Sequence, residues 1–315
     1  MPPQSSDTSP NGAGRPQLSA VEAAVQACYS TWATTYYDEY YGERAPYPPV
    51  HTALVRRLLN EANAHWVLDA GCGPASMLRE LLAAGFETAG FDLSPDMVAE
   101  AKRVVASLGR DPSSVWQGSV ADADAYGADA GHFDAAISVG VFPHLPSDYD
   151  RVAVELLRDA VRPGGTVLIE ARNALFALFT LNRYSSDLFV DSLIPVSDLR
   201  KATGNDHAID DALDTLAERF RMDLPPVRRG KQGEPGYDEV VSRTHNPFEL
   251  RAVAEAAGLV DVRVAFYHFH AVPPMLVTPE IADAVRDASL AMEADPFDWR
   301  GHVMASAFFV IGKRP

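Results

Sequence analysis

HWVLDAGCGPAS, residues His65–Ser76, reads as a buried strand that runs through a glycine turn into a helix. Trp66, Val67 and Leu68 make a short apolar run suited to a strand covered on both faces. Gly71 and Gly73 let the chain turn sharply and approach a ligand closely. From Ala75 the pattern becomes helical, with Met77, Leu78, Leu81 and Leu82 at helical spacing. A dinucleotide site wants G-x-G-x-x-G, with pyrophosphate on the helix N-terminus. Here Gly71, Gly73 and Ser76 occupy those places, so the third glycine is missing. Asp69, at the mouth of the loop, repels a pyrophosphate and attracts an ammonium group.

Outward from this stretch the pattern of a nucleoside-binding α/β sheet continues. Glu87–Asp92 reads as the next strand, and Asp92 ends it roughly 20 residues after Asp69, where an acidic side chain accepts ribose hydroxyls. Ser94 or Asp96 caps a helix that runs to Ser107. Ser114–Gly118 and Phe133–Gly140 read as strands three and four, and Asp148–Val161 as an amphipathic helix. Arg162-Pro163-Gly164-Gly165 then opens strand five, Thr166–Ala171. Asn246–Ala257 reads as a helix with Pro247 in its first turn, Val260–Ala271 as strand six and Pro279–Ala294 as a helix. The last strand, His302–Ile311, is expected antiparallel and at or near the sheet edge, and no internal repeat is apparent.

HWVLDAGCGPAS followed by FDLS resembles motifs of the class I S-adenosylmethionine-dependent methyltransferases, and R-P-G-G before TVLIEA resembles the family's later turn. The resemblance spans Val67–Glu170 and, more loosely, Asn246–Gly312. It implies an α/β fold: a Rossmann-like seven-stranded methyltransferase sheet with an N-terminal aromatic lid and a helical cap insertion. It also implies S-adenosyl-L-methionine as cofactor, held by Asp69, Gly71, Cys72, Gly73, Asp92, Leu93, Met97, Ser119, Val120 and Val139. The family commonly has Gly-Asp-Ala where this chain has Gly118-Ser119-Val120, so the hydroxyl of Ser119 or the Val120 amide takes the adenine contact, with Asp122 an alternative. The run WATTYYDEYY resembles the family's W-A-x-x-Y-D element, which makes Tyr37 a lid tyrosine over the reaction centre and Tyr29 a second candidate. A lid of this kind excludes water from the reacting groups.

Composition narrows the class. Hydrophobic residues make up 47% of the 315, enough for a core, and the formal net charge is −16. An acidic total argues against nucleic acid as partner. The two cysteines are Cys28 and Cys72, and Cys72 sits inside the glycine loop, so no bridge between them is expected. No apolar run reaches membrane-spanning length, and the start of the chain lacks a signal-peptide pattern; a soluble, cytoplasmic protein is expected. The expected organisation is a disordered tail over 1–17, lid helices over 18–49, a cofactor-binding core over 50–171, a cap insertion over 172–245 and the rest of the core over 246–315. The tail is rich in Pro, Ser and Gly and has almost nothing to bury. An insertion as long as 172–245 is uncommon as plain loop, and reads as a helical cap walling a substrate pocket or as an oligomerisation element. Within it Ile209–Phe220 reads as a helix and Pro225–Gly236 as a Pro/Gly/basic loop. Arg172, Asn173, Asn182, Arg183 and Tyr184 either bond a polar substrate or pin the cap to the core.

Methyl transfer asks the protein to hold a nucleophile in line, close and dry, and an alcohol acceptor also benefits from a general base. His268 and His270 are two apart on a strand and therefore face the same side, at an end where α/β sheets bind ligands. His245 precedes the neighbouring helix, and His144 follows strand four, where the family often has a histidine. The candidate bases are His245 and His270 first, then His268 and His144. No carboxylate or cysteine near them has metal-ligand spacing, so no metal is expected. THNPFEL, FYHFHAVPP and RNALFALFTLNRYSSD resemble a bacterial branch of small-molecule methyltransferases associated with polysaccharide and natural-product pathways. The expected activity is methylation of a small polar metabolite, a sugar or secondary metabolite, at a hydroxyl. The alternatives are an N-methyltransferase on a small amine, a nicotinamide-dependent oxidoreductase, and a noncatalytic cofactor-binding protein.

Overall fold

The computed structural model describes residues 19–42, 48–223 and 240–315. The tail expected at 1–17 and the loop expected at 225–236 lie outside the described residues. Seven strands form one sheet: β1 Trp66–Ala70, β2 Glu87–Asp92, β3 Val115–Gln117, β4 Phe133–Ser138, β5 Val161–Arg172, β6 Val260–Phe269 and β7 Ala305–Lys313, in the order β3-β2-β1-β4-β5-β7-β6. β1 to β5 are parallel, and β7 is antiparallel to both β5 and β6. β7 therefore lies one place in from the edge, and β6 is the edge strand.

Alternation along the strands divides the core between two faces. Leu68, Phe91, Val167, Ile169 and Phe308 pack with the helices Asp150–Ala160 and Pro247–Ala256 through Val154, Leu157 and Leu250. Val67, Ile137, Leu168 and Phe309 point the other way, onto the helices Val50–Glu61 and Ser76–Ala83 through Val55, Leu58, Leu59, Met77 and Leu81. Cover on both faces explains why these strands read as near-continuous apolar runs. The chain reverses direction across the sheet between β1 and β4, and a crevice opens there at their C-terminal ends.

The N-terminal segment contains two helices, Ala20–Ser30 and Tyr36–Tyr40. Turns over residues 31–35 separate them. The Thr31 hydroxyl donates to the Cys28 carbonyl, and Trp32 turns inward to pack with Cys28, Met97 and Val240. Between β5 and the helix Pro247–Ala256 stand short helices at Ala177–Thr180, Arg183–Leu188, Val196–Thr203 and Asp206–Ala217. Asn205 caps the last of these by accepting from the Ala208 amide, which starts it earlier than apolar spacing suggested. Asn173 anchors the base of this segment: its side-chain amide donates to the carbonyls of Gly301, His302 and Ala305. Asn182 accepts from the Tyr184 amide and the Thr180 hydroxyl, and Arg172 donates to the Ser242 hydroxyl. Asn173 thus ties this segment to the core, while Asn182 bonds within the segment itself. No helix among the described residues is long and apolar enough to cross a membrane.

Candidate active site

The glycine loop after β1 is built for close approach. Gly71 adopts φ 91°, and a Cβ there would lie 2.2 Å from Cγ2 of Val141, so any other residue strains the backbone and forces Val141 to move. Gly73 adopts φ 53°, and a Cβ built on it meets nothing within 4 Å, because it faces the open crevice. The amides of Gly71 and Cys72 both donate to the Phe91 carbonyl and tie the loop to β2.

Asp69 lines this crevice, is 1% exposed, and neither carboxylate oxygen has a hydrogen-bond partner. Burial, reinforced by the charge of Asp92, pushes its carboxyl up to about 8. Asp92 accepts from the Gly73 amide (2.8 Å) with one oxygen and from the Ser94 amide (2.9 Å) with the other. Burial raises its carboxyl as well, against the pull of these backbone donors. Each carboxylate oxygen offers two acceptor sites, so Asp92 keeps capacity for a diol. Beyond it Leu93, Met97, Gly118, Ser119 and Val120 continue the wall.

At the other end Val139, Gly140 and Val141 follow β4, with Tyr29, Tyr36 and Tyr41 facing them. His144 also lines the crevice. Its Nδ1 lies 2.7 Å from the Val241 carbonyl, which accepts and so places the proton on Nδ1. Nε2 is then the acceptor and takes the Tyr29 hydroxyl at 2.8 Å. Burial holds His144 down at about 4 despite the Val241 bond, so the ring is neutral near pH 7. Behind Gly140 lies Glu170, buried, accepting from the Gly140 amide (2.7 Å) and the Tyr267 hydroxyl (3.0 Å).

Of the cofactor candidates, Asp69, Gly71, Cys72, Gly73, Asp92, Leu93, Met97, Ser119, Val120, Val139 and Tyr29 all border this one crevice. Among the candidate bases, only His144 does. His245 is displaced because its backbone is spliced to β5: its amide donates to the Arg172 carbonyl, and its carbonyl accepts from the Ala174 amide. That puts its buried ring against Phe142, with Nε2 3.4 Å from Asp150, longer than a good hydrogen bond. Neither ring nitrogen of His245 makes a hydrogen bond. His268 and His270 do share a side, with ring centroids 5.3 Å apart. They face Phe176 and His51 instead of the crevice. Tyr37 is drawn off the crevice as well: its hydroxyl donates to Glu80, and its ring lies under the Arg79 guanidinium. Tyr36 and Tyr41 take the places expected of it.

Glu22, Tyr36 and Tyr41 also border the crevice, and Glu170 with Tyr267 stands behind it; the sequence reading singled out none of these five. Glu170 carried a readable signal, an acid inside the apolar run TVLIEA, since buried acids are rare without a purpose. Glu22 was legible only as the last residue of a Ser19-x-x-Glu22 capping box. No group of three or more His, Cys, Asp or Glu that could hold a metal occurs among the described residues, and Cys28 and Cys72 are free thiols.

Comparison with known proteins gives this geometry a context. Residues 67–165 match the family model described as a methyltransferase domain. The chain is 28% identical over 219 residues to glycine N-methyltransferase of Mus musculus, across 64% of this chain and 70% of that protein. The same figures hold for glycine N-methyltransferase of Rattus norvegicus. Among solved structures, a SAM-dependent methyltransferase from Archaeoglobus fulgidus is 14% identical, with 90% of this chain and 99% of that chain covered at a TM-score of 0.47.

Proposed function

Starting from a chain that belongs to the class I S-adenosylmethionine-dependent methyltransferases, we propose that it methylates a hydroxyl of a small polar metabolite, with His144 as general base. The crevice fits the cofactor on its own terms. Asp69 is a buried acid with no partner, beside a loop whose Gly73 leaves open space, and a ligand ammonium group would satisfy it. Asp92 would hold the ribose diol. When bound, the cofactor supplies a methyl group on an electrophilic sulfonium. The residues then have to orient the acceptor, exclude water and take one proton.

The observation that carries the acceptor assignment is the tautomer of His144. The Val241 carbonyl keeps the proton on Nδ1, so Nε2 presents a lone pair to the crevice through the site where the Tyr29 hydroxyl now donates. An acceptor hydroxyl that displaces Tyr29 would donate there and pass its proton to Nε2 as the oxygen attacks. Tyr29, Tyr36 and Tyr41 would shield this end from water. His245, His268 and His270 are proposed no longer as the base, because none of them borders the crevice.

A second reading, N-methylation of a small amine, has an observation of its own. The buried Glu170 carboxylate stands behind Gly140 among the tyrosines, and the mouse and rat relatives are glycine N-methyltransferases. One experiment separates the two. Methyl-labelled S-adenosylmethionine is incubated with panels of small alcohols and small amines, using wild type and His144→Gln. The expected result is label on oxygen, with kcat lowered roughly 100-fold or more in the variant. S-adenosylhomocysteine affinity should stay within about twofold, since the ring is at the acceptor end. Label on amines alone, or an unchanged kcat, refutes the hydroxyl assignment.

A further inference from the structure

We propose that Glu22 reads the adenine amino group of the cofactor, so that the helix Ala20–Ser30 completes the nucleoside site from outside the sheet. The inference rests on the cofactor assignment and is independent of the acceptor.

The cofactor is a linear ligand of amino acid, ribose and base. With its ammonium at Asp69 and its ribose at Asp92, the base must lie further along the same wall. There Leu93, Met97, Val120 and Val25 supply apolar surface for the faces of a flat ring. Met97 is 1% and Val120 5% exposed, so both are held firmly by the core. The end of β3 carries a hydroxyl, Ser119, and no carboxylate. The carboxylate arrives from another element: the Ser119 hydroxyl donates to Oε1 of Glu22 at 2.6 Å, and both residues border the crevice.

The remaining bonds of Glu22 decide what it can still accept. Oε2 takes the Ser19 amide at 3.0 Å and the Ser19 hydroxyl at 2.9 Å, which uses its two acceptor sites. Oε1 has one acceptor site left beyond Ser119. Burial pushes the Glu22 carboxyl up, but the donors Ser119 and Ser19 more than offset it, so the group stays ionised. An ionised carboxylate only accepts. It therefore favours an exocyclic amine and rejects a carbonyl at the same place.

The helix is fixed where this role requires. The Ser30 and Ser94 hydroxyls lie 2.9 Å apart, next to the Asp92 turn, and Tyr29 meets His144. The helix therefore touches the segments that follow β2, β3 and β4 together. Ser119 then acts as a prop that aims Glu22.

The test is calorimetry with S-adenosylhomocysteine and with S-inosylhomocysteine, which carries a carbonyl in place of the amine. Wild type should bind the adenine ligand roughly 10- to 100-fold more tightly, the range of one charge-assisted hydrogen bond. Glu22→Gln keeps a capping-box residue and adds an amide donor, so the ratio should shrink to within about threefold or invert. Ser119→Ala leaves the helix cap untouched and should reduce the ratio several-fold by releasing Glu22. An unchanged ratio in both variants, or no preference in wild type, overturns the role of Glu22 while leaving the cofactor assignment in place. Failure of wild type to bind S-adenosylhomocysteine at all overturns both.

Discussion

Asp69→Asn should make the ligand-free protein more stable and the cofactor site worse. The carboxyl sits at about 8 in the folded state against an ordinary 3.8, because it is buried beside Asp92. The folded state therefore holds this proton more tightly than the unfolded chain does. The stability that this brings is full below 3.8, falls as pH rises from 3.8 to about 8, and is constant above. At pH 7 the cost of matching that pKa is roughly 4 kcal/mol, from about 1.4 kcal/mol for each pH unit of the interval. Asparagine does not titrate, so urea unfolding of the ligand-free variant should lack this fall between pH 5 and 8. Cofactor binding supplies the complementary measurement. At pH 7 the wild-type carboxyl is roughly nine-tenths protonated, and an arriving ammonium should expel that proton. Calorimetry in two buffers of different ionisation enthalpy should count close to one proton released per S-adenosylhomocysteine. Asp69→Asn should release none and bind roughly 100-fold more weakly, the loss expected for a buried charge-assisted bond. Equal affinity in the variant with no proton release in wild type would refute the pairing of Asp69 with the ligand's ammonium.

Two further outcomes concern the scaffold. Gly71→Ala places a methyl 2.2 Å from Val141 Cγ2 at a φ of 91°, so thermal unfolding should show a loss of about 2 kcal/mol or more, and the cofactor affinity should fall with it. His51, pressed against Tyr41 and Tyr267, is held at about 4 by burial from an ordinary 6.5. A lowered histidine contributes stability above 6.5 that is lost as pH falls towards 4, so His51→Gln should shift the acid-unfolding midpoint downward; an unmoved midpoint would contradict the neutral, buried ring.

The sheet was legible because its evidence is local. Val67 and Leu68 before Gly71, and the acid of FDLS after an apolar run, announce strand ends by composition alone. Asp69 and Asp92 could be read together because β1 and β2 are parallel neighbours in register, Asp69 opposite Gly90 and Ala70 opposite Phe91, so their ends fall side by side. The histidines show where such reading stops. The rings of His268 and His270 lie close together, but His268 adopts φ 60° and His270 follows the end of β6, so strand alternation is not the cause, and the position of β6 at the edge, two strands from β5, decides which cavity they face. His245 lies off the crevice for a similar reason, since its bridge to Asn173 is a tertiary pairing that no periodicity encodes. Tyr36 and not Tyr37 borders the crevice because Tyr37 is held away by Glu80 and Arg79, tertiary partners that no local pattern announces.

The missing third glycine and the acid before the loop point to one electrostatic conclusion. Glu22, Asp69 and Asp92 all border the crevice, and the described residues lining it include no lysine or arginine. A pyrophosphate would bring its charges against the ionised Glu22 and would meet no cation among the described lining residues. Two like charges 4 Å apart cost about 4 kcal/mol at a near-surface effective dielectric, and more where water is excluded. Backbone amides at the loop would not offset that, because the Gly73 amide already donates to Asp92, and those of Gly71 and Cys72 to Phe91. A ligand that carries an ammonium group, a diol and an amino-substituted base instead gives each acid a donor. The charge of the described walls therefore weighs against the nicotinamide alternative independently of the loop's sequence.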